Sequence, residues 1–136
     1  MSFYKPEKLP KLMVAPNGAR KIKKDHPAVP LTISEIVATA KSCYKAGAGA
    51  IHLHVRDNEG QHVLDAGLYK EALNELEHQV PNMHIQVTTE AIGKYSPADM
   101  RKLAYDVTPP GASIGTSELI PSRNPENEDI KLYKYL

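Results

Sequence analysis

Gly47-Ala48-Gly49-Ala50-Ile51-His52-Leu53-His54-Val55-Arg56-Asp57 is the stretch on which the fold reading turns. Its centre, Ala50 to Val55, is apolar except for two histidines. Glycines precede it and the polar turn Arg56-Asp57-Asn58-Glu59-Gly60 follows. A run of that length between turn signals predicts a buried strand. Side chains two residues apart on a strand share a face, so His52 and His54 aim into one space. They lie near the strand's carboxyl end, beyond which α/β proteins bind their ligands.

Working outward, Leu12-Met13-Val14-Ala15 predicts a first strand, stopped by Pro16-Asn17-Gly18. Thr32-Ile33-Ser34-Glu35 is a capping-box pattern. Ile33, Ile36, Val37, Ala40 and Tyr44 then recur at helical spacing until Gly47. A second helix is expected from about Leu68 to Val80, with Leu68, Ala72, Leu73 and Leu76 inward and Pro81 ending it. His84-Ile85-Gln86-Val87-Thr88-Thr89 predicts the third strand. Ser96-Pro97-Ala98-Asp99 opens a third helix through Met100 and Leu103, closed by Thr108-Pro109-Pro110-Gly111. Ala112-Ser113-Ile114-Gly115-Thr116 predicts a weaker fourth strand, and Asn124-Pro125-Glu126 a last helix carrying Ile130, Tyr133 and Leu136.

Strand-then-helix units recurring in this way predict parallel βαβ construction, with right-handed crossovers and all strand carboxyl ends at one rim. A doubly wound sheet and a (β/α)8 TIM barrel both begin like this. No Gly-x-Gly-x-x-Gly follows the first strand and no Gly-Lys-Ser/Thr phosphate loop occurs, which weakens the nucleotide-binding open sheets. A barrel takes about 250 residues. Residues 1–136 are therefore expected to form a single α/β unit covering the first four βα units, a half-barrel. Half a barrel leaves two strand edges and an apolar inner face, so a homo-oligomer is expected. The last helix, reaching Leu136 without a glycine stop, suggests a truncated reading frame or a fragment of a longer protein.

Composition excludes several classes. A content of 41% hydrophobic and 24% charged residues is that of a globular domain. A net charge of +1, with seven Tyr, one Phe and no Trp, offers neither a field nor a stacking platform for nucleic acid, and no field for a membrane surface. Met1 to Pro10 is a polar, proline-containing lead-in without the apolar stretch of a signal peptide or membrane span. Cys43 is the single cysteine and is expected to pack in a helix, which points to the reducing cytoplasm.

Two imidazoles on an apolar strand are costly to bury without a purpose, and metal ligation is the purpose that suits them. Such a pair favours Zn²⁺, Ni²⁺, Fe²⁺ or Cu²⁺ over Mg²⁺. A catalytic zinc normally takes a third protein ligand. Glu90 and Glu118, after the third and fourth strands, are candidates, and Asp57 is a candidate to orient an imidazole. Asn17 and Arg20, after the first strand, are placed to contact a carboxylate or carbonyl substrate. The cations of Arg20-Lys21-Ile22-Lys23-Lys24 either attract a phosphorylated cofactor or form a solvated loop. Thr88, Thr89 and Ser113 offer hydroxyls at strand ends. His26, His62, His78 and His84 have no such partners and are expected at the surface or in loops.

Taken together, Ala15-Pro16-Asn17-Gly18-Ala19, Asp25-His26-Pro27-Ala28-Val29-Pro30-Leu31-Thr32, Ala46 through Asp57 and Gln86-Val87-Thr88-Thr89-Glu90 resemble the β-keto acid cleavage enzyme family (DUF849), amino-terminal half only. The resemblance implies a zinc-dependent TIM barrel that takes a β-keto acid and acetyl-CoA and yields acetoacetate and a new acyl-CoA. It implies His52 and His54 as metal ligands, Thr88 in the place of a substrate-binding serine and Ser113 in that of a threonine near the substrate. Arg20 stands where the family member acting on 3-keto-5-aminohexanoate has a glutamate that recognises the substrate's amino group. The family's glutamate ligand, arginine and aspartate base come from a late strand beyond Leu136. The resemblance thus implies no catalytic residue within the chain and no activity for it alone.

Overall fold

Strand pairing carries the architecture. In the computed structural model, which describes residues 8–121, four strands lie side by side in the order β1-β2-β3-β4. They are β1 (Met13–Val14), β2 (Ala50–Leu53), β3 (His84–Thr88) and β4 (Ala112–Ser113). All pairings are parallel, with Ala50 opposite Met13 and His84, His52 opposite Gln86, and Thr88 opposite Ser113. Between them run α1 (Ile33–Lys45), α2 (Ala66–Gln79) and α3 (Pro97–Val107), and the short α4 (Thr116–Leu119) follows.

The strand order discriminates between the two expected folds. A doubly wound sheet reverses direction at a switch point and so covers both faces with helices. Here every crossover steps the same way, and right-handed steps in one direction put all the helices on one side. That is the construction of a barrel wall, four βα units long.

The helix-bearing face is the core. Ile36, Val37 and Ala40 of α1 and Tyr69, Ala72, Leu73 and Leu76 of α2 pack on Ile51 and Leu53 of β2 and Ile85 and Val87 of β3. Burying each large apolar side chain contributes about 1.5–3 kcal/mol. A second cluster joins Ala91, Met100, Ala104 and Leu119 near α3 and α4. Period-two alternation sends His52, Gln86, Thr88 and Ser113 to the other face. The inner face is therefore polar where it was expected to be apolar. Inward residues His52, Gln86 and Thr88 of β2 and β3 thus lie on the face opposite the apolar core.

The caps follow the predicted chemistry. Thr32 and Glu35 form the α1 capping box, and Ser96 and Asp99 that of α3. The second helix begins earlier than expected because Asp65 caps it at Leu68 N. Tyr44 is 38% exposed and does not join the core stripe. The fourth strand stops at Ser113, since Gly115 already caps α4. Gly49 must be glycine, because a Cβ there would meet Pro10 Cβ at 2.6 Å. The helix expected from Asn124 lies outside the described residues.

Glu35 provides an acid-sensitive element of stability. Its carboxylate pairs with Lys23 at 2.7 Å and accepts from Leu31 N and Thr32 N. The Lys23 contact first, then the two backbone donors, pull its pKa from 4.5 to about 2. A carboxyl depressed on folding stabilises fully above its unfolded pKa and loses that contribution as pH falls through the folded one. Between pH 4.5 and 2, Glu35→Gln should lose less stability than the parent. Urea midpoints across that window check this, and parallel curves for the two proteins would refute it.

Candidate metal centre

His52 lies on β2 and His54 one residue beyond its end, and the alternation brings both rings to the inner face at the carboxyl rim. Their Nε2 atoms are 3.1 Å apart, with ring centroids at 4.9 Å. Nδ1–H of His52 donates to Oε1 of Gln86, its partner in register on β3, at 2.8 Å. That bond leaves the His52 Nε2 unprotonated and facing His54 Nε2, and it fixes the ring, as outer partners of metal-bound histidines do.

His54 is 2% exposed. Burial first, then the neighbouring His52, His62 and Arg56, depress its pKa from 6.5 to about 3, so the ring is neutral at physiological pH. A neutral imidazole is the form that ligates. Two nitrogens at bonds of about 2.0–2.1 Å to one tetrahedral ion lie about 3.3 Å apart, close to the separation seen. The donor set thus fits a divalent transition metal. Among the described residues, however, no three His, Cys, Asp or Glu donors already stand around one point. His54 Nδ1 is buried without a hydrogen-bond partner.

A third histidine, expected at the surface, belongs to this cluster. His62 is 2% exposed, its ring centroid is 5.1 Å from that of His54, and its Nε2–H donates to Glu90 O at 2.9 Å. Burial lowers its pKa as well. Its sequence signal was weak: an isolated bridge pairs Arg56 with His62 across the Asp57–Gln61 turn, and nothing local marks His62 as inward. His26, His78 and His84 are exposed, as expected.

The other candidates divide. Glu90 is near, with Oε2 3.9 Å from His54 Nε2. Glu118 is committed elsewhere, its Oε2 accepting from Ala91 N. Asp57 orients no imidazole, because its Oδ1 accepts from Glu59 N and Gln61 N and holds the turn. Asn17 is buried, and its Nδ2 donates to Pro30 O and His54 O, which ties the loop after β1 to the histidine segment. Thr88 Oγ1 is also buried. It accepts from Glu90 N at 3.0 Å and faces Ser113 Oγ at 3.5 Å. Thr89 donates to Ser113 O. Arg20 is exposed on the loop after β1. In the cationic run, Lys21 pairs with Asp25 and Lys23 with Glu35, which favours the solvated-loop reading.

A one-directional parallel wall with polar side chains gathered at the strand carboxyl ends defines the class: the first half of a TIM-barrel protein. The family model of the beta-keto acid cleavage enzymes matches residues 11–130, and the chain belongs to that family. It is 40% identical over 72 residues to the 3-keto-5-aminohexanoate cleavage enzyme of Fusobacterium nucleatum, covering 53% of this chain and 26% of that protein. It is 30% identical over 117 residues to the 3-oxoadipate:acetyl-CoA acetyltransferase of Cupriavidus necator, covering 85% and 40%. The chain thus spans less than half the length of these relatives. Among solved structures, a ternary complex of ObcA with a C4-CoA adduct and oxalate superposes with a TM-score of 0.56 at 19% identity, over 65% of this chain and 23% of that one. That likeness bears on the fold.

Proposed function

We propose that this chain forms part of a zinc-dependent enzyme that exchanges acetyl-CoA with a β-keto acid, giving acetoacetate and a new acyl-CoA. The observation that carries the proposal is the convergence of the His52 and His54 Nε2 atoms, 3.1 Å apart, on the rim of a barrel wall of this family. The names of the relatives, a keto-acid cleavage enzyme and an acetyl-CoA acetyltransferase, support the substrate classes.

His52 and His54 would hold the metal, with Gln86 orienting the first ring. A bound divalent cation would supply Lewis-acid stabilisation of negative charge on the keto oxygen. The Thr88 and Ser113 hydroxyls, 3.5 Å apart on the same face, would hydrogen-bond the substrate. Asn17 holds the His54 backbone, and its buried Oδ1 has no hydrogen-bond partner. Arg20, a cation where the aminohexanoate-cleaving member has a glutamate, would reject an aminated tail and accept a neutral or anionic one. No nucleic acid or membrane partner is proposed. Among the described residues no helix is long and apolar enough to cross a membrane, and the free Cys43 accords with the cytoplasm.

The 136-residue chain is expected to be inactive alone and active when its missing strands are supplied by fusion to the remaining barrel of a relative. Acetoacetate formation from acetyl-CoA and a panel of β-keto acids, with zinc present, reads both. A folded fusion inert toward every keto acid would overturn the assignment. It would favour the second reading, a non-catalytic half-barrel that binds metal or associates with itself. That reading draws on the face that carries no helix among the described residues, flanked by the β1 and β4 edges.

A further inference from the structure

We propose that Asn17-Gly18, in the loop after β1, is a site of spontaneous covalent modification that the fold holds shut. The Asn17 amide deamidates through the Gly18 nitrogen when that loop opens, and the product cannot re-form the tie to the histidine segment. This chemistry needs only the dipeptide and its hydrogen bonds, with no metal at the rim.

The reaction calls for a glycine. Hydroxide takes the proton of the Gly18 backbone nitrogen, which attacks the side-chain carbonyl carbon of Asn17. The new C–N bond forms as the bond to Nδ2 breaks, and the amide nitrogen takes a proton from water and leaves as ammonia, which returns the hydroxide. Water then opens the cyclic imide at either carbonyl and leaves aspartate or isoaspartate. A side chain on the attacking residue would shield its nitrogen and restrict the backbone, and glycine does neither. Asn17 alone among the asparagines of the sequence precedes a glycine. Gly18 has φ +58°, and a Cβ there would meet nothing within 4 Å, so the glycine answers the turn conformation and not a packing demand.

The folded chain blocks the attack. Asn17 is 5% exposed, which keeps hydroxide and water from the dipeptide. Its Nδ2 donates to Pro30 O at 3.0 Å and to His54 O at 3.1 Å, so the amide is fixed against the rotation that would carry its carbon onto Gly18 N. Arg56 Nη2 donates to the carbonyls of Asn17 and Gly18 and braces the backbone on both sides of the reacting nitrogen. Deamidation therefore runs through the open fraction of the loop.

The product is shut out by the same bonds. A carboxylate has no hydrogen to donate, and it would set a negative charge against the two carbonyl oxygens that the amide satisfies. Isoaspartate adds a methylene to the main chain as well. A reversible opening is thus made permanent, with the loop after β1 detached from His54.

The test incubates the 136-residue chain in mildly alkaline buffer, folded by circular dichroism, and in unfolding urea, with peptide mass spectrometry following each asparagine. Asn17 should deamidate about tenfold or more slowly in buffer than in urea, because a held group reacts only while open. In urea it should react faster than Asn58, Asn74 and Asn82, which precede bulkier residues, and Gly18→Ala should bring it down to their rate. Equal Asn17 rates in buffer and urea would overturn the protection, and an unslowed Gly18→Ala would overturn the route. Asn17→Asp, which reproduces one product, should unfold at lower urea than the parent or fail to fold. A midpoint equal to the parent's would overturn the permanent opening.

Discussion

Converting His52 and His54 together to alanine abolishes metal uptake and leaves the half-barrel folded. The loss should be complete, because among the described residues the pair supplies the two ring nitrogens that converge on the inner face. His52 presents Nε2 because Gln86 takes its Nδ1–H, and His54 presents a neutral ring because burial and its cationic surroundings keep it unprotonated. The cost to stability is partly offset for a physical reason. His54 Nδ1 is buried without a partner, and the His52 ring lies half-exposed on a face that no helix covers among the described residues. Removing an unsatisfied polar atom offsets part of the lost packing. Metal stoichiometry after dialysis, beside far-ultraviolet circular dichroism, reads both quantities. One metal per chain retained in the double variant would sink the ligand assignment.

Much of the candidate site's geometry was legible because it is written in strand periodicity. Two histidines two residues apart must share a face, and the glycines before Ala50 and the turn after Arg56 fixed which end of the strand they occupy. The helices were legible from their caps for the same local reason: Thr32 with Glu35 and Ser96 with Asp99 act over three residues. What escaped depends on contacts that no local pattern encodes. His62 looks like any turn residue, and becomes part of the site only because its segment folds back beside Arg56 and under Glu90. Asp57 looks like an imidazole partner by proximity in sequence, yet the turn's own N–H groups claim its oxygen first. The inner face was expected to be apolar by analogy with filled barrel interiors. Gln86, Thr88 and Ser113 make it polar here because the strands are short and their carboxyl ends serve the rim.

Arg56→Met should cost the folded chain about 3 kcal/mol, the upper range for losing hydrogen bonds to one charged group. Arg56 is 6% exposed, and its guanidinium joins two loops. Nη2 donates to the carbonyls of Gly18 at 2.6 Å, Lys21 at 3.1 Å and Asn17 at 3.4 Å, while Nη1 donates to that of Gly60 at 2.9 Å. Replacing a buried charge with a methionine of similar length recovers apolar contact and relieves desolvation, an effect that makes some buried charges dispensable. Desolvation is felt here, since burial lowers the Arg56 pKa, and Nε has no hydrogen-bond partner. The balance nevertheless favours the arginine, because its partners are loop carbonyls that no strand or helix would satisfy in its absence. Each carbonyl left dry costs about 1–3 kcal/mol. Arg56→Lys should not rescue, since one ammonium on a flexible stem cannot reproduce a planar fork that spans both loops. Urea unfolding of the three proteins checks the prediction, and a change within about 0.5 kcal/mol, the size of an ordinary surface substitution, would defeat it. The same loop carries Asn17, which holds the carbonyl of His54. Releasing the clamp should therefore also weaken any metal binding, by displacing His54, the residue proposed above as a ligand.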